Sequence, residues 1–330
     1  MKRIAINGMG RIGRAALKNI LETSKLEIVA VNDIVSVENI AYLLKYDSVY
    51  GIYEKEVSHT EDSLIVDDKK IKFYSIRNPE ELPWKENNID VVIESTGLFT
   101  SSEDAEKHIT AGAKTVVLSA PTKSKDIPTV VHGVNTEDGK TKIFSCASCT
   151  TNNISPVVEI LGRRIGIKKA IMTTTHAYTA TQAMVDAPSA KNFRLGRAGA
   201  ANIVPTSTGA AIATTKAMPE YEGKFDGVAL RVPIPVGSIS DLTFVTDRDV
   251  TVEEINSIFE EEAASDRYKN ILGVTDKPLV SSDIIKSPFA STVDLGMTRV
   301  VDGDLLKVMT WYDNEWGFTN QMIRQILEEE

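Results

Sequence analysis

The chain has 330 residues, of which 42% are hydrophobic and 25% are charged, and its formal net charge is -9. This length exceeds what one hydrophobic core usually organises, so we expect two domains. The acidic balance disfavours nucleic acid or a membrane surface as a partner, and the glycine-broken N-terminus does not fit a secretory signal, so we expect a cytoplasmic protein.

Short apolar runs alternate with helical patterns through the first part of the chain. A buried-strand pattern at 2–8 is followed by apolar residues at helical spacing over 11–24 and by a second strand pattern at 25–33. Further strand-like runs occupy 89–95, 114–120 and 142–146. This alternation predicts an α/β fold, in which residues 1–150 form a doubly wound, mostly parallel Rossmann domain.

The pattern changes in the second half of the chain. The strand-like runs lengthen, and a helical pattern at 251–266 lies between them; the runs are 167–178, 224–236 and 239–247. We therefore predict an α+β catalytic domain over 151–314. The last segment, 315–330, reads as a helix that packs back on the first domain.

The first chemical motif is a glycine-rich turn. Gly8, Gly10 and Gly13 have GxGxxG spacing, follow a predicted strand and open a predicted helix. Such glycines permit a tight turn and close approach of the backbone to a pyrophosphate, and the helix N-terminus favours its negative charge. Asp33 ends the second predicted strand, where a carboxylate can bind the ribose hydroxyls and repel a 2′-phosphate. The turn predicts NAD as the cofactor, and secondary use of NADP stays open.

The two cysteines, Cys146 and Cys149, are separated by two residues in the stretch SCASCTTNN. A structural zinc site needs about four ligands, and a disulfide is unexpected in a reducing compartment. Cys149 precedes a predicted helix, whose N-terminus favours a thiolate, whereas Cys146 lies in a strand pattern and reads as a buried small residue. Cys149 is therefore the candidate nucleophile, and His176, at the end of a predicted strand, is the candidate base.

Several blocks along the chain resemble phosphorylating glyceraldehyde-3-phosphate dehydrogenases. They are INGMGRIGR, ASCTTN at 147–152, THAYT at 175–179, NIVPTSTGAA at 202–211, RVPIPVGSISDL at 231–242 and WYDNEWG at 311–317. The blocks occur in the order of that family and extend over essentially the whole chain.

The resemblance implies a reaction. Cys149 attacks the aldehyde of glyceraldehyde 3-phosphate, His176 acts as general base, NAD takes a hydride, and inorganic phosphate converts the thioester on Cys149 into an acyl phosphate. Two alternatives remain. One is an erythrose-4-phosphate dehydrogenase, and the other is a catalytically silent nucleotide-binding or adhesion protein.

The resemblance also implies binding residues and a homotetramer. The expected cofactor-binding residues are Gly8, Gly10, Arg11, Ile12, Gly13, Asp33, Ser95, Thr96, Ser119 and Asn314, the last for the nicotinamide carboxamide. The expected substrate and phosphate ligands are Ser148, Thr150, Thr179, Thr208, Gly209 and Arg231.

The chain departs from the family pattern near the anion sites. Ala180 and Thr181 stand where the family usually has Asn-Asp, which removes a carboxylate. Leu195 and Gly196 separate two arginines, Arg194 and Arg197, that the family typically has in succession; either could serve the anion site, and neither is assigned to it.

Overall fold

A computed structural model describes residues 1–135, 141–190 and 192–328. The chain divides into two compact units. Unit 1 comprises Met1–Val130, Glu137–Ala147 and Met322–Glu330, and unit 2 comprises Val131–Thr136 and Ser148–Gln321.

Unit 1 contains an eight-stranded sheet. The elements of the unit, in chain order, are β1 (Lys2–Asn7), α1 (Arg11–Leu21), β2 (Leu26–Asn32), α2 (Val37–Lys45), β3 (Tyr46–Asp47), β4 (Gly51–Ile52), β5 (Val57–Thr60), β6 (Ser63–Val66), β7 (Lys69–Tyr74), β8 (Val91–Glu94), α3 (Ser102–Thr110), β9 (Thr115–Leu118) and β10 (Ile143–Ser145). Strands β3 and β4 form a separate two-stranded ribbon.

The strand order in unit 1 is β10-β9-β8-β1-β2-β7-β6-β5, and neighbours from β10 to β7 pair in parallel. The central strands are continuous apolar runs because both of their faces are buried, as at Ile4–Ile6 and Val91–Ile93. The sequence patterns did not predict β3 to β7, of which β5 and β6 extend the sheet in antiparallel fashion. The carboxyl ends of three parallel strands, β1, β2 and β8, bring Asn7, Asn32 and Glu94 to one edge.

Unit 2 is a mixed sheet with helices packed against one of its faces. Its elements are α4 (Cys149–Ile165), β11 (Ile167–Ala177), β12 (Val204–Ser207), α5 (Ala210–Ala217), β13 (Phe225–Val232), β14 (Ser238–Thr246), α6 (Val252–Ala263), β15 (Leu272–Thr275), β16 (Ser291–Asp294), β17 (Arg299–Val301) and β18 (Leu305–Tyr312). The strand order is β12-β13-β11-β14-β18-β16-β15, and β17 pairs with β18. Helix α7 (Trp316–Glu328) follows, and its residues from Met322 onward belong to unit 1.

The core of unit 2 lies between its helices and one face of this sheet. Apolar side chains of α4, α5 and α6, such as Val157, Ala211 and Phe259, are buried against strand residues such as Leu242 and Val308. The α/β prediction, a mostly parallel sheet followed by an α+β unit, is confirmed. No helix within the described ranges is both long and apolar enough to cross a bilayer.

Candidate active site

Cys149 is the first residue of helix α4, so the helix begins one residue earlier than the sequence predicts. Ser148 caps this helix, because its hydroxyl accepts a hydrogen bond from the backbone N–H of Thr151 at 3.1 Å. The cap fixes the start of the helix at the nucleophile, so the Cys149 thiol lies where unpaired N–H groups and the helix dipole favour negative charge. Cys146 is buried, in agreement with its interpretation as a small core residue.

His176 faces this thiol from the end of strand β11. Its Nε2 lies 3.4 Å from the Sγ of Cys149, and its ring is almost completely buried. The ring of Tyr312 meets the imidazole edge-on, with 6.0 Å between the ring centroids. The two residues that the sequence proposes as nucleophile and base are therefore in contact.

Arg231 lies beside His176 because of strand register. The two residues are direct partners in the parallel pairing of β11 with β13. The Nη1 of Arg231 is 2.6 Å from the Nδ1 of His176 and 3.1 Å from the carbonyl oxygen of Ala177. A guanidinium, an imidazole and a thiol thus form one contiguous chain of contacts.

The protonation states in this arrangement follow from burial and from Arg231. Burial raises the pKa of the Cys149 thiol above its ordinary value, although the charge of Arg231 acts in the opposite direction. Burial, followed by repulsion from Arg231, lowers the pKa of His176 to about 3. The helix N-terminus favours the thiolate, as the sequence predicts, but desolvation outweighs the groups that lower the pKa of this thiol.

Tyr312 is a part of this site that the sequence analysis missed. Its hydroxyl lies 2.9 Å from the Oγ1 of Thr150 and 2.8 Å from the Oγ1 of Thr174. These contacts connect the start of α4 to strand β11. Burial raises the pKa of Tyr312, so the phenol stays neutral and can donate one hydrogen bond while accepting another. Its position in the WYDNEWG block was the available signal.

Asn314 is tied to the same strands. Its Oδ1 accepts hydrogen bonds from the N–H of Gly237 at 3.2 Å and from the hydroxyl of Ser238 at 3.1 Å. Ser238 in turn accepts from the N–H of Ala177, the residue after the candidate base. The start of strand β14, which pairs with the strand that carries His176, therefore holds the Asn314 amide in a fixed orientation.

The remaining predicted anion ligands make local hydrogen bonds. The hydroxyl of Thr179 pairs with that of Thr181 at 2.8 Å, so its partner within the chain is a neutral group. Thr208 accepts from the N–H of Ala210, and Gly209 is the N-cap of α5. Of the two unassigned arginines, Arg197 pairs with Asp186 at 2.9 Å and Arg194 reaches the carbonyl of Pro205 at 3.5 Å.

The glycine turn of unit 1 has the geometry that a dinucleotide requires. Gly8 has a φ of +96°, and a Cβ on it would lie 2.7 Å from the backbone nitrogen of Thr96. A Cβ on Gly13 would lie 2.0 Å from the carbonyl oxygen of Gly8, whereas a Cβ on Gly10 would meet open space. Gly8 and Gly13 therefore serve close packing, and Gly10 leaves its outer side clear for a ligand.

A cavity of about 340 Å³ adjoins this turn, and Gly8, Gly10, Asp33, Ser95 and Thr96 contribute to its lining. The carboxylate of Asp33 accepts from the N–H of Met9 at 2.7 Å and from that of Val35 at 3.0 Å, and the Ser95 hydroxyl donates to the carbonyl of Gly8 at 2.7 Å. These bonds fix the acidic group beside a cavity that can accept an adenosine ribose, so the residues fit NAD.

Three other predicted cofactor residues lie at the start of helix α1 or at the carboxyl end of strand β9. Arg11 and Ile12 begin helix α1, and the Arg11 guanidinium pairs with Asp47 at 2.6 Å. The N–H of Ser119 donates to the carbonyl of Glu94 at 3.0 Å, which places Ser119 at the carboxyl end of strand β9.

A buried polar network lies next to the turn of Gly8, Gly10 and Gly13, and the sequence patterns did not predict it. The fully buried carboxylate of Glu94 receives hydrogen bonds from the Asn7 amide at 2.6 Å, from His108 Nε2 at 3.1 Å and from the N–H and hydroxyl of Thr96. The indole N–H of Trp84 donates to Nδ1 of His108 at 3.0 Å, so the proton of a neutral His108 lies on Nε2, facing Glu94. His108 is completely buried.

Comparison with known proteins agrees with this geometry. The model of the glyceraldehyde 3-phosphate dehydrogenase NAD-binding domain matches residues 2–102, and that of the C-terminal domain matches residues 148–314. The chain is 48% identical over 325 residues to glyceraldehyde-3-phosphate dehydrogenase 2 of Streptomyces avermitilis, with 97% of this chain and 96% of the relative covered. It is 46% identical over 332 residues to the glyceraldehyde-3-phosphate dehydrogenase of Clostridium pasteurianum, with coverage of 99% and 98%. The chain belongs to the glyceraldehyde 3-phosphate dehydrogenase family.

Proposed function

We propose that this protein oxidises D-glyceraldehyde 3-phosphate with NAD and inorganic phosphate to 1,3-bisphosphoglycerate. The observation that carries the proposal is the 3.4 Å contact between Cys149 Sγ, at the start of α4, and His176 Nε2, in a chain of this family. A thiol in contact with a base at a helix N-terminus is suited to attack on a carbonyl carbon.

In the proposed chemistry, Cys149 adds to C1 of the aldehyde while Nε2 of His176 takes the thiol proton, which gives the oxyanion of a thiohemiacetal. Bound NAD supplies the acceptor for the hydride that leaves C1. The resulting thioester on Cys149 keeps the acyl group activated until the oxygen of inorganic phosphate displaces the sulfur. Burial of His176 next to the half-buried Cys149 supports this role, because water must be kept from the thioester.

The anion sites are proposed from the family together with local chemistry. Arg231 supplies a guanidinium close to the thiol, and the hydroxyls of Ser148, Thr150, Thr179 and Thr208, together with the backbone at Gly209, supply neutral donors. Such local donors explain how a chain with a net charge of -9 can bind two phosphates.

For NAD, we propose that the turn of Gly8, Gly10 and Gly13, with Arg11 and Ile12 at the start of α1, holds the pyrophosphate. Asp33 binds the ribose hydroxyls, and Ser95, Thr96 and Ser119 line the same strand edge. Asn314 would hold the nicotinamide carboxamide, and its fixed amide supports this role.

We also propose a homotetramer. The support is the sheet face of unit 2 that its helices leave uncovered, where Ile171 and Val228 are 61% and 51% exposed. Exposed apolar faces of this kind are typical of subunit interfaces. A cytoplasmic location is proposed because neither cysteine forms a disulfide within the described residues, which is typical of proteins in a reducing compartment. The domain boundaries at residues 150 and 314, with a C-terminal helix on the first domain, stay a proposal, which the hydrogen bond from Lys2 Nζ to the carbonyl of Ile326 supports.

Phosphate dependence tests the proposal. Formation of reduced nicotinamide is measured with glyceraldehyde 3-phosphate and NAD, with and without inorganic phosphate, and with erythrose 4-phosphate and NADP as parallel comparisons. Sustained turnover only with phosphate supports the proposal. Higher catalytic efficiency on erythrose 4-phosphate without phosphate dependence would contradict it, as would equal inactivity of the parent and of Cys149→Ser with normal NAD binding.

A further inference from the structure

The neighbours of the Asn314 side chain fix which end of its amide is which. Oδ1 lies 3.2 Å from the backbone nitrogen of Gly237 and 3.1 Å from the hydroxyl of Ser238. The N–H of Gly237 can only donate a hydrogen bond, so the amide atom that it contacts is the oxygen. The amide nitrogen, Nδ2, makes no hydrogen bond within the described residues and is left for a ligand.

Ser238 is the second donor to this oxygen, and the direction of its proton follows from its other contact. The N–H of Ala177 lies 3.1 Å from the Ser238 hydroxyl oxygen and can only donate, so Ser238 accepts that bond. The single hydroxyl proton is then available for Oδ1 of Asn314. Ser238 is only 1% exposed, so water does not compete for this proton. The hydroxyl proton therefore lies between Ser238 and Asn314.

The backbone beside Asn314 is held by a different residue. The carboxylate of Asp313 accepts hydrogen bonds from the N–H of Glu315 at 2.9 Å and from that of Trp316 at 2.7 Å, at the start of helix α7. These bonds do not involve Ser238. Loss of the Ser238 hydroxyl would therefore loosen the amide of Asn314 while its backbone stays in place.

The orientation of the amide decides what it can bind. An amide whose oxygen is occupied offers only N–H donors to a ligand. The carboxamide of nicotinamide has an acceptor oxygen at one end and a donor nitrogen at the other, so Nδ2 of Asn314 can bond only the oxygen. An amide turned by 180° would bond the other end and would favour a different rotation of the carboxamide.

We propose that Ser238 is a positioning residue for the cofactor: it holds the Asn314 amide with its donor side toward the nicotinamide, so that the carboxamide oxygen is bound. The inference rests on the proposed function, because that function assigns Asn314 to the carboxamide. Ser238 also bonds Ala177, whose carbonyl oxygen lies 2.7 Å from Nδ1 of His176. One buried hydroxyl thus connects the residue proposed for the carboxamide to the strand end that carries the proposed base.

The test measures binding rather than turnover. The affinities for NAD and for ADP-ribose, which lacks the nicotinamide ring, are measured by calorimetry, and their ratio isolates the contribution of the nicotinamide. Ser238→Ala removes one donor to the Asn314 amide. We expect it to lower the affinity for NAD about tenfold, equivalent to about 1.4 kcal/mol, and to change the affinity for ADP-ribose by less than about twofold. An unchanged ratio overturns the proposal.

Ser240→Ala is the matched control. Ser240 lies two residues further along β14 on the same face of the strand and is completely buried, and its hydroxyl has no hydrogen-bond partner among the described residues. The control removes the same atom from the same strand without removing a bond to Asn314. We expect its ratio of the two affinities to equal that of the parent. Equal losses in Ser238→Ala and Ser240→Ala overturn the proposal.

A double-mutant cycle with Asn314→Ala asks whether Ser238 acts through the amide. Under the proposal, Ser238→Ala causes no further loss of the ratio when Asn314 is already Ala, so the effects of the two substitutions are not additive. A purely structural role of Ser238 would give the same loss in both backgrounds. A loss that persists undiminished in Asn314→Ala therefore overturns the proposal.

The parent protein provides a measurement that does not require Ser238→Ala to fold. The 3-acetylpyridine analogue of NAD keeps the carbonyl oxygen of the carboxamide and lacks its NH₂ group. Because Nδ2 of Asn314 can bond only that oxygen, we expect the analogue to bind with a loss of less than about fivefold relative to NAD. A larger loss would mean that the NH₂ end is the one recognised and would overturn the proposal.

The outcomes for this inference and for the proposed function are separable. A protein with phosphate-dependent turnover whose Ser238→Ala variant keeps the parent ratio would retain the proposed function and reject the role of Ser238. A protein that shows the selective loss of NAD affinity in Ser238→Ala without phosphate-dependent turnover would reject the proposed reaction and retain the role of Ser238.

Discussion

His108 is the clearest place to test whether the buried network supports the cofactor turn. Replacing it by Leu removes the acceptor for the indole N–H of Trp84 and one of four donors to the Glu94 carboxylate. A buried donor left without a partner costs about 1–3 kcal/mol, and a lost hydrogen bond to a charged group costs about 1.5–3 kcal/mol. Because His108 is completely buried, water cannot replace either bond, and we expect a total loss of about 2.5–6 kcal/mol.

His108→Gln is the matched control. A glutamine can accept from Trp84 through its oxygen and donate to Glu94 through its nitrogen, so it keeps both roles of the histidine. The free energy of unfolding is measured by urea titration, and the affinity for NAD is measured by calorimetry. We expect His108→Leu to be the less stable of the two and also to bind NAD more weakly, because Asn7 and Thr96 border the cavity next to the turn. Equal stability and equal NAD affinity of the two variants would refute this reasoning.

Three further predictions concern single groups. Gly13→Ala should reduce both stability and NAD affinity, because its Cβ would lie 2.0 Å from the carbonyl oxygen of Gly8. Gly10→Ala, whose Cβ meets open space, should reduce NAD affinity alone. Equal unfolding midpoints of the two variants would contradict this prediction. Asp33→Ala should lower the ratio of kcat/KM for NAD over NADP by about tenfold, or about 1.4 kcal/mol, since the charge that repels a 2′-phosphate is lost; an unchanged ratio would count against the role of Asp33. Burial alone would raise the pKa of Glu262, but hydrogen bonds from Arg163 and Arg164 lower it below 4.5. As the pH falls, the Glu262 carboxylate is therefore protonated in the unfolded chain before it is protonated in the native protein. The stability lost in Glu262→Gln should therefore be greatest near neutral pH and should vanish as the pH falls through the native pKa, and a difference that persists in acid would disprove the assignment.

The parts of the site that the sequence predicts are those set by local chemistry. The glycine turn, the start of α4 next to Cys149 and the strand end at His176 each follow from short-range patterns that the structure reproduces. The contact of Cys149 with His176 also followed, once family blocks linked the two positions.

The features that the sequence did not reveal depend on register and burial. Arg231 lies against Nδ1 of His176 because the two are partners across parallel strands, and no pattern in either strand specifies that alignment. Glu94 ends a buried strand, but its donors come from β1, from α3 and from the residues that follow it. The raised pKa of Cys149 was missed because the helix N-terminus can be predicted from sequence, whereas the extent of desolvation cannot.

The most direct test of the account is whether an acyl group accumulates on Cys149. The protein is mixed with glyceraldehyde 3-phosphate and NAD in phosphate-free buffer, quenched in acid, and analysed by intact mass and peptide mapping. The account predicts one acyl group, located on Cys149, that disappears when inorganic phosphate is added before the quench and that forms more slowly in His176→Asn. An acyl group on another residue, or a Cys149 adduct that phosphate does not discharge, would contradict it.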